Sequence, residues 1–493
     1  MSALAVDSQS ADRGIAVPRS PKPVIMKFGG TSVEDASAIV RLADLVKHRL
    51  RNQPVVVVSA LAGVTDRLLD AGKLAAKGEI VQALEVAREL ELRHEHVVSE
   101  LFAGDHKRCL WNQLAPDFAA VKSVLSQICS SAVLSARLQD HLLGVGECLS
   151  SKIVAEVLSQ GDVPGIWSDA RACIVTDTAH TQATPLWEES DAQIQAALLP
   201  LLAEGKVPVL GGFVGATRDG IPTTLGRGGS DFSASIVGAA LDATRIEIWT
   251  DVDGILSSDP RICPDARRVP SMSFEEAADL AYFGAKVLHP ATIAPAMSKN
   301  IPVFVLNSRN SECKGTEIVA RPEDSGCTVK AVSVRKEVAV VDVEAVRWLA
   351  PELLREIFEV FQRHNHSLDL LSASRGSLSL FVGSTEALPA IADELRGLAN
   401  VRWENHKALV CVVGEGVRRQ PEIASQVFRT LADVDLRMIC QGASERTIAL
   451  LVEEDRADEA VRRLHRLFFR PPGEPRDLGI AAHPLCQSGG SWA

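Results

Sequence analysis

The sequence of 493 residues is poor in aromatic side chains, in net positive charge and in long apolar runs. Aromatic residues make up 4% of the chain, so a core must rest mostly on Leu, Val, Ile and Ala. The formal net charge is −11, which disfavours nucleic acid or an anionic membrane as a partner of the chain as a whole. The apolar runs, such as Val55–Val58, are far shorter than the roughly 20 residues that span a bilayer.

Cysteine pairs and zinc-ligand spacings are also missing. The ten cysteines include no Cys-x-x-Cys pair, and no Cys/His spacing resembles a zinc site. We predict no metal held by the protein's own side chains, and reduced, mostly buried thiols in a cytoplasmic protein. The N-terminal segment carries Asp7 and Asp12 and lacks the apolar stretch of a signal peptide, so residues 1–22 are predicted to be a disordered arm.

Short apolar segments that end in small or polar residues predict the fold class. The four consecutive valines Val55–Val58 suit a strand in a parallel sheet that is covered on both faces. Thr65 to Leu158 is predicted to be mostly helix. Alternating strands, loops and helices imply an α/β unit with a mainly parallel sheet, in which ligands bind at the carboxyl ends of the strands. The predicted strands are Pro23–Phe28, Pro54–Ser59, Val207–Leu210, Arg245–Trp249 and Ile301–Leu306.

The character of the sequence changes after about Gly315. Residues 321–326 are polar and rich in turn formers, which is typical of a linker. Beyond them, a strand–helix–strand–strand–helix order is predicted twice with a period of roughly 70 residues. We therefore predict a catalytic domain at 23–318, two α+β modules of one kind at 328–404 and 405–470, and a disordered tail at 471–493.

The first candidate site is the segment from Lys27 to Val33, Lys-Phe-Gly-Gly-Thr-Ser-Val, directly after the first predicted strand. Gly29 and Gly30 let backbone N–H groups approach an anion closely, and the following helix N-terminus adds a favourable dipole. These features predict a phosphate cradle with Lys27 as a catalytic cation; the alternative is an ordinary strand–helix turn with a surface lysine. The Gly-x-x-x-x-Gly-Lys-Ser/Thr pattern of P-loop proteins occurs nowhere in the sequence.

The segment Gly226-Arg-Gly-Gly-Ser-Asp231 forms a second candidate anion site. Its arginine, Arg227, suits bidentate binding of a carboxylate. Asp231 could cap the following helix, or it could hold Lys27 near the phosphates.

Acidic residues crowd the loop after the strand that ends at Trp249. Such carboxylates suit Mg²⁺ held through waters, although Asp-Gly and Asp-Pro also form structural turns. The polar residues of this loop are Thr250, Asp251, Asp253 and Asp259, followed by Arg261.

Two further residues carry weaker signals. Lys286 lies between Phe283 and Pro290, where a lysine can equally well be solvated. Glu147 could bind an ammonium group, or it could be an ordinary acid at a helix N-terminus.

Transfer of a phosphoryl group between two anions, ATP and a carboxylate, needs cations in an otherwise acidic chain. An ionised carboxylate is already a nucleophile and needs no general base, so positioning and charge neutralisation suffice. The candidate cations are Lys27, Arg227, Arg261 and Lys286.

The segments KFGGTSV, VVSALAGVTDRL, GRGGSD, IWTDVDGI with a following DPR, and FGAKVLHPAT, in this order, resemble the aspartokinases of the amino-acid-kinase family. RMICQGAS near the end resembles their second ACT module, so the resemblance covers about residues 24–469 and is closest to single-function, lysine-branch enzymes. It implies a three-layer αβα kinase domain followed by two ferredoxin-like ACT modules. It also implies phosphorylation of the L-aspartate side chain by ATP with Mg²⁺, as the first step towards lysine, threonine and methionine, in a homodimer or homotetramer assembled through the ACT modules.

The resemblance also implies roles for individual residues. Glu147 would bind the amino group of aspartate and Arg227 a carboxylate. Leu256 stands where a tyrosine is common beside the nucleotide, which predicts a changed contact to ATP. The resemblance assigns Lys27 and Asp231 to catalysis, Thr65, Glu147, Arg227 and Ser230 to aspartate, and Gly29, Gly30, Ser59, Thr250, Asp251, Arg261 and Lys286 to ATP.

The first ACT module departs further from the family pattern. Ser367, Leu368 and Asp369 correspond to residues of the effector site, but Ala373 replaces a threonine and Arg375 replaces a glutamate. A cation in place of an acid disfavours a cationic effector. We therefore predict that inhibition by lysine is weakened or lost, unless these residues line no pocket.

Two rival functions follow from the same residues. Another amino-acid kinase could act on glutamate, carbamate or a nucleoside monophosphate, but tandem ACT modules and the combination of Glu147 with Arg227 argue against it. A catalytically silent amino-acid sensor would predict loss of Lys27, Arg227 or Asp231, and all three are present. An active kinase that serves a specialised pathway remains open.

Overall fold

The computed structural model describes residues 22–284, 292–322, 328–345, 349–383, 386–441 and 444–469. The predicted tail at 471–493, Lys286 and all but the last residue of the predicted arm lie outside the described residues. The chain divides into two compact units. The first contains residues 1–256, 268–330 and 413–415, and the second contains 257–267, 331–412 and 416–493. Residues 257–267 therefore group with the second unit, although they fall inside the region predicted to be catalytic.

The first unit alternates strands and helices, as predicted. Its strands are β1 (Val24–Phe28), β2 (Pro54–Val58), β3 (Gly165–Trp167), β4 (Val175–Thr176), β5 (Val207–Gly211), β6 (Val214–Thr217), β7 (Pro222–Thr224), β8 (Arg245–Thr250), β9 (Ser271–Ser273), β10 (Val303–Asn307) and β11 (Thr316–Val319). Its helices are α1 (Ala36–Lys47), α2 (Val64–Ala76), α3 (Ile80–Leu101), α4 (Gly104–Ser131), α5 (Ala136–Leu143), α6 (Val145–Gln160), α7 (Ala170–Cys173), α8 (Trp187–Ala203), α9 (Gly229–Ala240), α10 (Phe274–Tyr282) and α11 (Ala294–Ser298). The predicted strands agree with β1, β2, β5, β8 and β10 to within two residues at either end.

Within the described residues, the main sheet has the strand order β3-β5-β2-β1-β8-β10-β11-β9. The pairs from β3 to β10 are parallel, and β10 pairs with β11 in the antiparallel direction. Every residue of β1 and β2 is buried, which confirms the interpretation of the valine run. Because β1, β2, β5 and β8 run parallel as neighbours, their carboxyl ends meet at one edge of the sheet. A smaller sheet, β4-β6-β7, is not predicted by the sequence patterns.

Helix α1 shows why the local sequence folds as it does. The carboxylate of Asp35 accepts the Ala38 N–H at 2.8 Å and caps the first turn. Ile39, Leu42 and Val46 follow at helical spacing and are buried. The helix expected after the first glycine loop is therefore present, and it buries one apolar face.

The second unit contains the predicted repeat. Its elements are β12 (Ala331–Glu344), α12 (Pro351–Arg363), β13 (Leu370–Ala373), β14 (Ser377–Gly383), α13 (Leu388–Leu395), β15 (Asn400–Val413), α14 (Pro421–Thr430), β16 (Met438–Gln441), β17 (Thr447–Glu453) and α15 (Glu454–Phe468). The strand–helix–strand–strand–helix order occurs twice, as predicted. Alternate residues of β12, namely Ala339, Val341 and Val343, pack in the core with Ile357 and Phe361 of α12.

The two repeats share one sheet. The described strands follow the order β13-β14-β12-β15-β17-β16, so the long strands β12 and β15 lie side by side at the centre. The short strands β13 and β16 form the edges, and each exposes an apolar side chain, Leu371 and Ile439. Throughout the described part of the chain, no helix is both long and apolar enough to cross a membrane.

Candidate active site

Lys27 lies on the central strand β1 and makes a close ion pair across the sheet edge. Its Nζ is 2.6 Å from Oδ1 of Asp231, and the two side chains are 10% and 15% exposed. Asp231 lies in the first turn of α9, but the N-cap of that helix is Gly228 and no side chain caps it. Of the two alternatives for Asp231, the structure therefore has the one in which it holds Lys27. The two charges depend on each other, because a buried charge without its partner is strongly destabilising.

The two glycines after β1 differ in their hydrogen bonding. The Gly29 N–H donates to the carbonyl of Trp249 at 3.1 Å, so this amide ties β1 to β8 and differs from the predicted phosphate donor. Gly30 passes close to the loop after β2. A Cβ atom on Gly30 would lie 3.2 Å from the Ala60 carbonyl oxygen and 3.3 Å from Ala62 Cα. Of the two, Gly30 is the glycine whose missing side chain lets the loop after β2 pack closely against the end of β1.

Two serines that are absent from the predicted site join three loops. Ser32 Oγ and Ser308 Oγ share a hydrogen bond of 2.8 Å, and Ser308 Oγ also donates to the Thr250 carbonyl at 3.0 Å. The ends of β1, β8 and β10 are held together by these contacts. The position of Ser32 inside the first glycine motif was a signal for its role; Ser308 follows β10 and carries no comparable motif.

Glu147 is the buried acid of the site. It lies in the first turn of α6 and is 4% exposed. Burial raises the pKa of Glu147 to about 8, against the opposing effects of hydrogen bonds from the Ala60 and Glu147 backbones and of the charge on Lys27. None of the described residues forms a hydrogen bond to its Oε2. A buried carboxyl group with an unsatisfied oxygen marks a place where a donor from a ligand would bind.

Small residues allow the first turn of α6 to reach the sheet edge. A Cβ atom on Gly146 would lie 2.8 Å from Ala60 Cβ, and one on Gly211 would lie 2.8 Å from the Glu147 carbonyl oxygen. The hydroxyl of Ser150 donates to the Ser59 carbonyl at 2.7 Å. The ends of β2 and β5 and the start of α6 therefore pack backbone to backbone around Glu147.

Arg227 has a different environment from the other charged residues. It is exposed between Gly226 and Gly228, which have positive φ of 77° and 72°, and within the described residues it makes no ion pair or side-chain hydrogen bond. Ser230 on the same loop is buried against the end of β5, where a Cβ atom on Gly212 would lie 2.7 Å from Ser230 Cβ. The loop thus places the buried Ser230 near the exposed Arg227, whose guanidinium binds no other described residue.

Phe213 is a strained residue that is missing from the predicted site. Its φ is +67°, which is unusual for a bulky side chain. Its N–H donates to Ser233 Oγ at 3.0 Å, and its carbonyl accepts the Leu225 N–H at 2.9 Å. A Cβ atom on Gly229 would lie 2.6 Å from its ring. The signal in the sequence was the pair of glycines that precedes it, together with the scarcity of aromatic residues.

The predicted nucleotide residues are only partly brought to this edge. Thr250 is the last residue of β8, and its hydroxyl donates to the exposed Asp251 carboxylate at 3.3 Å. Asp253 accepts the side-chain amide of Asn307 at 2.8 Å and is therefore a structural turn residue. Arg261 lies in the second unit, is 82% exposed and pairs with Asp259 at 2.6 Å.

Three other predicted residues have less distinctive surroundings. Thr65 is the second residue of α2 and is half-buried. Ser59 follows β2, and its N–H donates to the Phe28 carbonyl at 3.0 Å. Leu256 makes an isolated antiparallel bridge with Arg268.

The predicted effector residues lie between α12 and β13 of the second unit. Ser367 is exposed, whereas Leu368 and Asp369 are half-buried. Asp369 Oδ2 lies 2.8 Å from the guanidinium of Arg335. The carboxylate that would attract a cationic effector is therefore already partnered by a cation of the protein.

Comparisons with known proteins agree with this geometry. A model of the amino acid kinase family matches residues 22–307, and a model of the ACT domain matches residues 410–468. The chain is 35% identical to lysine-sensitive aspartokinase 3 of Escherichia coli (strain K12), an alignment that covers 90% of this chain and 99% of the relative. It is 34% identical to chloroplastic aspartokinase 3 of Arabidopsis thaliana, covering 90% of this chain and 81% of the relative. This chain belongs to the aspartokinases.

Solved structures of an aspartokinase from the same bacterium extend the agreement to the fold. The structure of E. coli aspartokinase III in complex with aspartate and ADP (R-state) matches with a TM-score of 0.81 and 32% identity, covering 91% of this chain and all of the other. The structure of the same enzyme with lysine and aspartate (T-state) matches with a TM-score of 0.76 and 33% identity, covering 91% and 99%. The predicted α/β kinase domain with C-terminal ACT modules is confirmed for this aspartokinase.

Proposed function

We propose that this aspartokinase transfers the γ-phosphoryl group of ATP to the side-chain carboxylate of L-aspartate, which yields 4-phospho-L-aspartate and ADP. The observation that carries the proposal is that the buried cation Lys27 lies close enough to the buried carboxyl group of Glu147 to lower its pKa, while no described residue forms a hydrogen bond to Glu147 Oε2. One solved relative is described as a complex with aspartate and ADP, which supports the same substrates here.

Lys27 is the group best placed to stabilise the transferring phosphoryl group. Its ammonium is held at 2.6 Å by Asp231 and needs no reorganisation when charge develops on the phosphoryl oxygens. The attacking carboxylate of aspartate is a nucleophile in its ionised form, so the reaction needs alignment and charge neutralisation. Gly30 brings the backbone of the loop after β2 close to the end of β1, and we propose that the phosphates bind beside these two segments.

Aspartate would be bound by two groups of opposite charge, the Glu147 carboxylate and the Arg227 guanidinium. Glu147 Oε2 would accept a hydrogen bond from the substrate ammonium, and that cation would favour the ionised form of Glu147. Arg227 would bind the α-carboxylate in a bidentate manner, with Thr65 and Ser230 as hydroxyl donors. Phe213 would limit the length of the side chain that fits. This arrangement leaves the side-chain carboxylate free for the reaction.

The nucleotide would lie along the ends of β1, β2 and β8, beside Ser59, Thr250 and Asp251. Among the described residues, no group of three or more His, Cys, Asp or Glu side chains could hold a metal ion. In our proposal Mg²⁺ arrives with ATP and neutralises phosphate charge, with the exposed Asp251 carboxylate available to its water shell. The nucleotide roles of Arg261 and Lys286 stay predictions.

Regulation would take place in the second unit. We place an amino-acid effector at Ser367, Leu368 and Asp369, with weakened sensitivity to lysine because Arg335 and Arg375 add positive charge to this module. The exposed edge strands β13 and β16 support assembly into a homodimer or homotetramer. A cytoplasmic location and a role in the lysine branch complete the proposal, with a specialised pathway as the alternative.

The decisive experiment measures ADP formation with aspartate, glutamate or carbamate as the acceptor, together with hydroxylamine trapping of the acyl phosphate. We expect only aspartate to support both signals. Lys27→Met is expected to lower kcat by about a hundredfold or more, because it removes the cation at the transferring group.

Lys22→Met is the matched control, since Lys22 lies just before the same strand but is 47% exposed and pairs with Asp242 on the surface. Its activity should equal that of the wild type. ADP formation that is supported by glutamate, or an unaffected Lys27→Met variant, would contradict the proposed function.

A further inference from the structure

Asp140 is a fully buried carboxylate that has no part in the site as described so far. It lies on α5 and is 0% exposed. Its Oδ1 accepts the Thr224 hydroxyl at 2.6 Å, its Oδ2 accepts from His180 Nδ1 at 2.7 Å, and the Thr181 N–H lies 3.1 and 3.0 Å from the two oxygens. Burying a carboxylate is costly unless several donors satisfy it, and here three donors converge on two oxygens.

These contacts fix the segment that leads into the Arg227 loop. Thr224 is the last residue of β7, three positions before Arg227, and its carbonyl accepts the Ala183 N–H at 2.9 Å. Thr181 has a positive φ of 72°, and its carbonyl oxygen would lie 3.3 Å from a Cβ atom on Gly226. The strained backbone at Thr181 is held by Asp140, and it supports the loop from the other side.

Asp140 also contacts the segment that carries Glu147. The Asp140 carbonyl accepts the Gly144 N–H at 3.1 Å, and Gly144 is the N-cap of α6. Glu147 follows in the first turn of that helix. Asp140 on α5 therefore contacts the start of α6 through its carbonyl and the end of β7 through its side chain. These two segments lead to Glu147 and Arg227 of the proposed aspartate site.

Arg227 depends on this support more than an ordinary surface arginine does. It is exposed, it is flanked by two glycines with positive φ, and no described residue pairs with its guanidinium. Its direction is therefore set by the backbone of the loop. We propose that Asp140 is a positioning residue for aspartate recognition, which fixes Arg227 relative to Glu147 through Thr224 and Thr181; this inference rests on the proposed function.

Asp140→Asn tests the inference because the amide replaces one acceptor by a donor that would face the donors around it. We expect KM for aspartate to rise about tenfold or more, with KM for ATP within about twofold of the wild type. Thr224→Val removes the hydroxyl bound to Asp140 and should act in the same direction. Thr224→Ser keeps that hydroxyl, so its KM for aspartate should be close to that of the wild type.

Asp169→Asn is the matched control. Asp169 also accepts a backbone N–H, that of Arg171 at 3.0 Å, and binds the Arg171 guanidinium, but it caps the short helix α7. The Asp169→Asn substitution should change the thermal unfolding temperature without changing KM for aspartate. This control separates an effect on the position of Arg227 from a general loss of stability.

The outcomes are distinct. An unchanged KM for aspartate in folded Asp140→Asn and Thr224→Val proteins, equal rises in KM for aspartate and ATP, or a Thr224→Ser variant that behaves like Thr224→Val would each overturn the inference. If Asp140→Asn does not fold, the Thr224 pair decides. Wild-type protein that forms no ADP with aspartate would overturn the proposed function, and this inference with it.

Discussion

At the scale of single residues, burial decides what Glu147 can do. By its position it is an acid in the first turn of a helix, where a surface carboxylate would simply stay ionised. In the folded chain burial raises its pKa to about 8, although Lys27 and two backbone donors act in the opposite direction. Below that pH the free enzyme holds Glu147 mainly in the protonated form, whereas the ammonium of an amino acid requires the carboxylate.

This leads to a prediction for the pH dependence of the reaction. We expect kcat/KM for aspartate to rise as the pH increases from 6.5 towards 8.5, by up to about tenfold per unit below 8, because deprotonation of Glu147 has to accompany binding. Glu147→Gln should lower kcat/KM and abolish the rise.

Steady-state kinetics over this pH range check the prediction, with Glu79→Gln as the control, since Glu79 is an exposed acid at the start of α3. A flat wild-type profile, or the same rise in the Glu147→Gln variant, would count against this role of the buried carboxyl group.

At the scale of elements, close backbone contacts place the site more than side-chain packing does. The first turn of α6 reaches the ends of β2 and β5 because Gly146 and Gly211 have no side chain there. The atom that a Cβ on Gly211 would meet is the Glu147 carbonyl oxygen, at 2.8 Å, which cannot rotate away. A methyl group at this position therefore has to displace the helix or the strand.

We predict that Gly211→Ala raises KM for aspartate and lowers the free energy of unfolding by about 1–3 kcal/mol. Gly161→Ala is the matched control, because Gly161 ends the same helix, has a φ of −88°, and its nearest atoms would lie 3.5 and 3.6 Å from the new methyl group. Aspartate kinetics and urea unfolding of both variants provide the test. Equal effects of the two substitutions would show that the contact with Glu147 does not matter.

At the scale of the whole molecule, each of the two units has its own architecture. The first has a mainly parallel sheet with the candidate site at one edge. In the second, the two ACT-like repeats merge into one described sheet, with Arg335 of β12 beside Asp369. Arg335 and Arg375 of this unit carry the opposite sign of charge from the carboxylates that a cationic effector needs, which is the basis for the predicted change in the response to lysine.

We expect the wild-type enzyme to be indifferent or weakly sensitive to lysine in a titration of aspartate-dependent ADP formation. The double substitution Ala373→Thr with Arg375→Glu should lower the half-inhibitory lysine concentration about fivefold or more, because it removes a positive charge and adds a negative one. Arg396→Glu, which makes the same charge change directly after α13, is the control and should leave the curve unchanged. Strong lysine inhibition of the wild type, or no shift in the double variant, would contradict the charge argument.

Several features could be predicted from the sequence because they depend on neighbours in the chain. Buried parallel strands are continuous apolar runs, so β1, β2 and β5 are visible locally. The glycine-rich segments at residues 27–33 and 226–231 indicated Lys27 and Arg227 as candidate anion-binding residues. The short strands of the β4-β6-β7 sheet could not be found, since two to four residues carry no reliable periodicity.

The sequence by itself determined the order of the elements, the two repeats and the family, because these follow from local patterns and from motifs in a set order. Only the tertiary structure decided that Asp231 pairs with Lys27 instead of capping its helix, and that the Gly29 N–H donates to the Trp249 carbonyl. It decided too that Glu147 is buried with one oxygen to which no described residue forms a hydrogen bond. It also decided that Asp140, which carries no motif, holds the end of β7. The physical reason is that each of these facts depends on residues far apart in the chain, whose distance, burial and hydrogen bonding exist only once the strands and helices have packed.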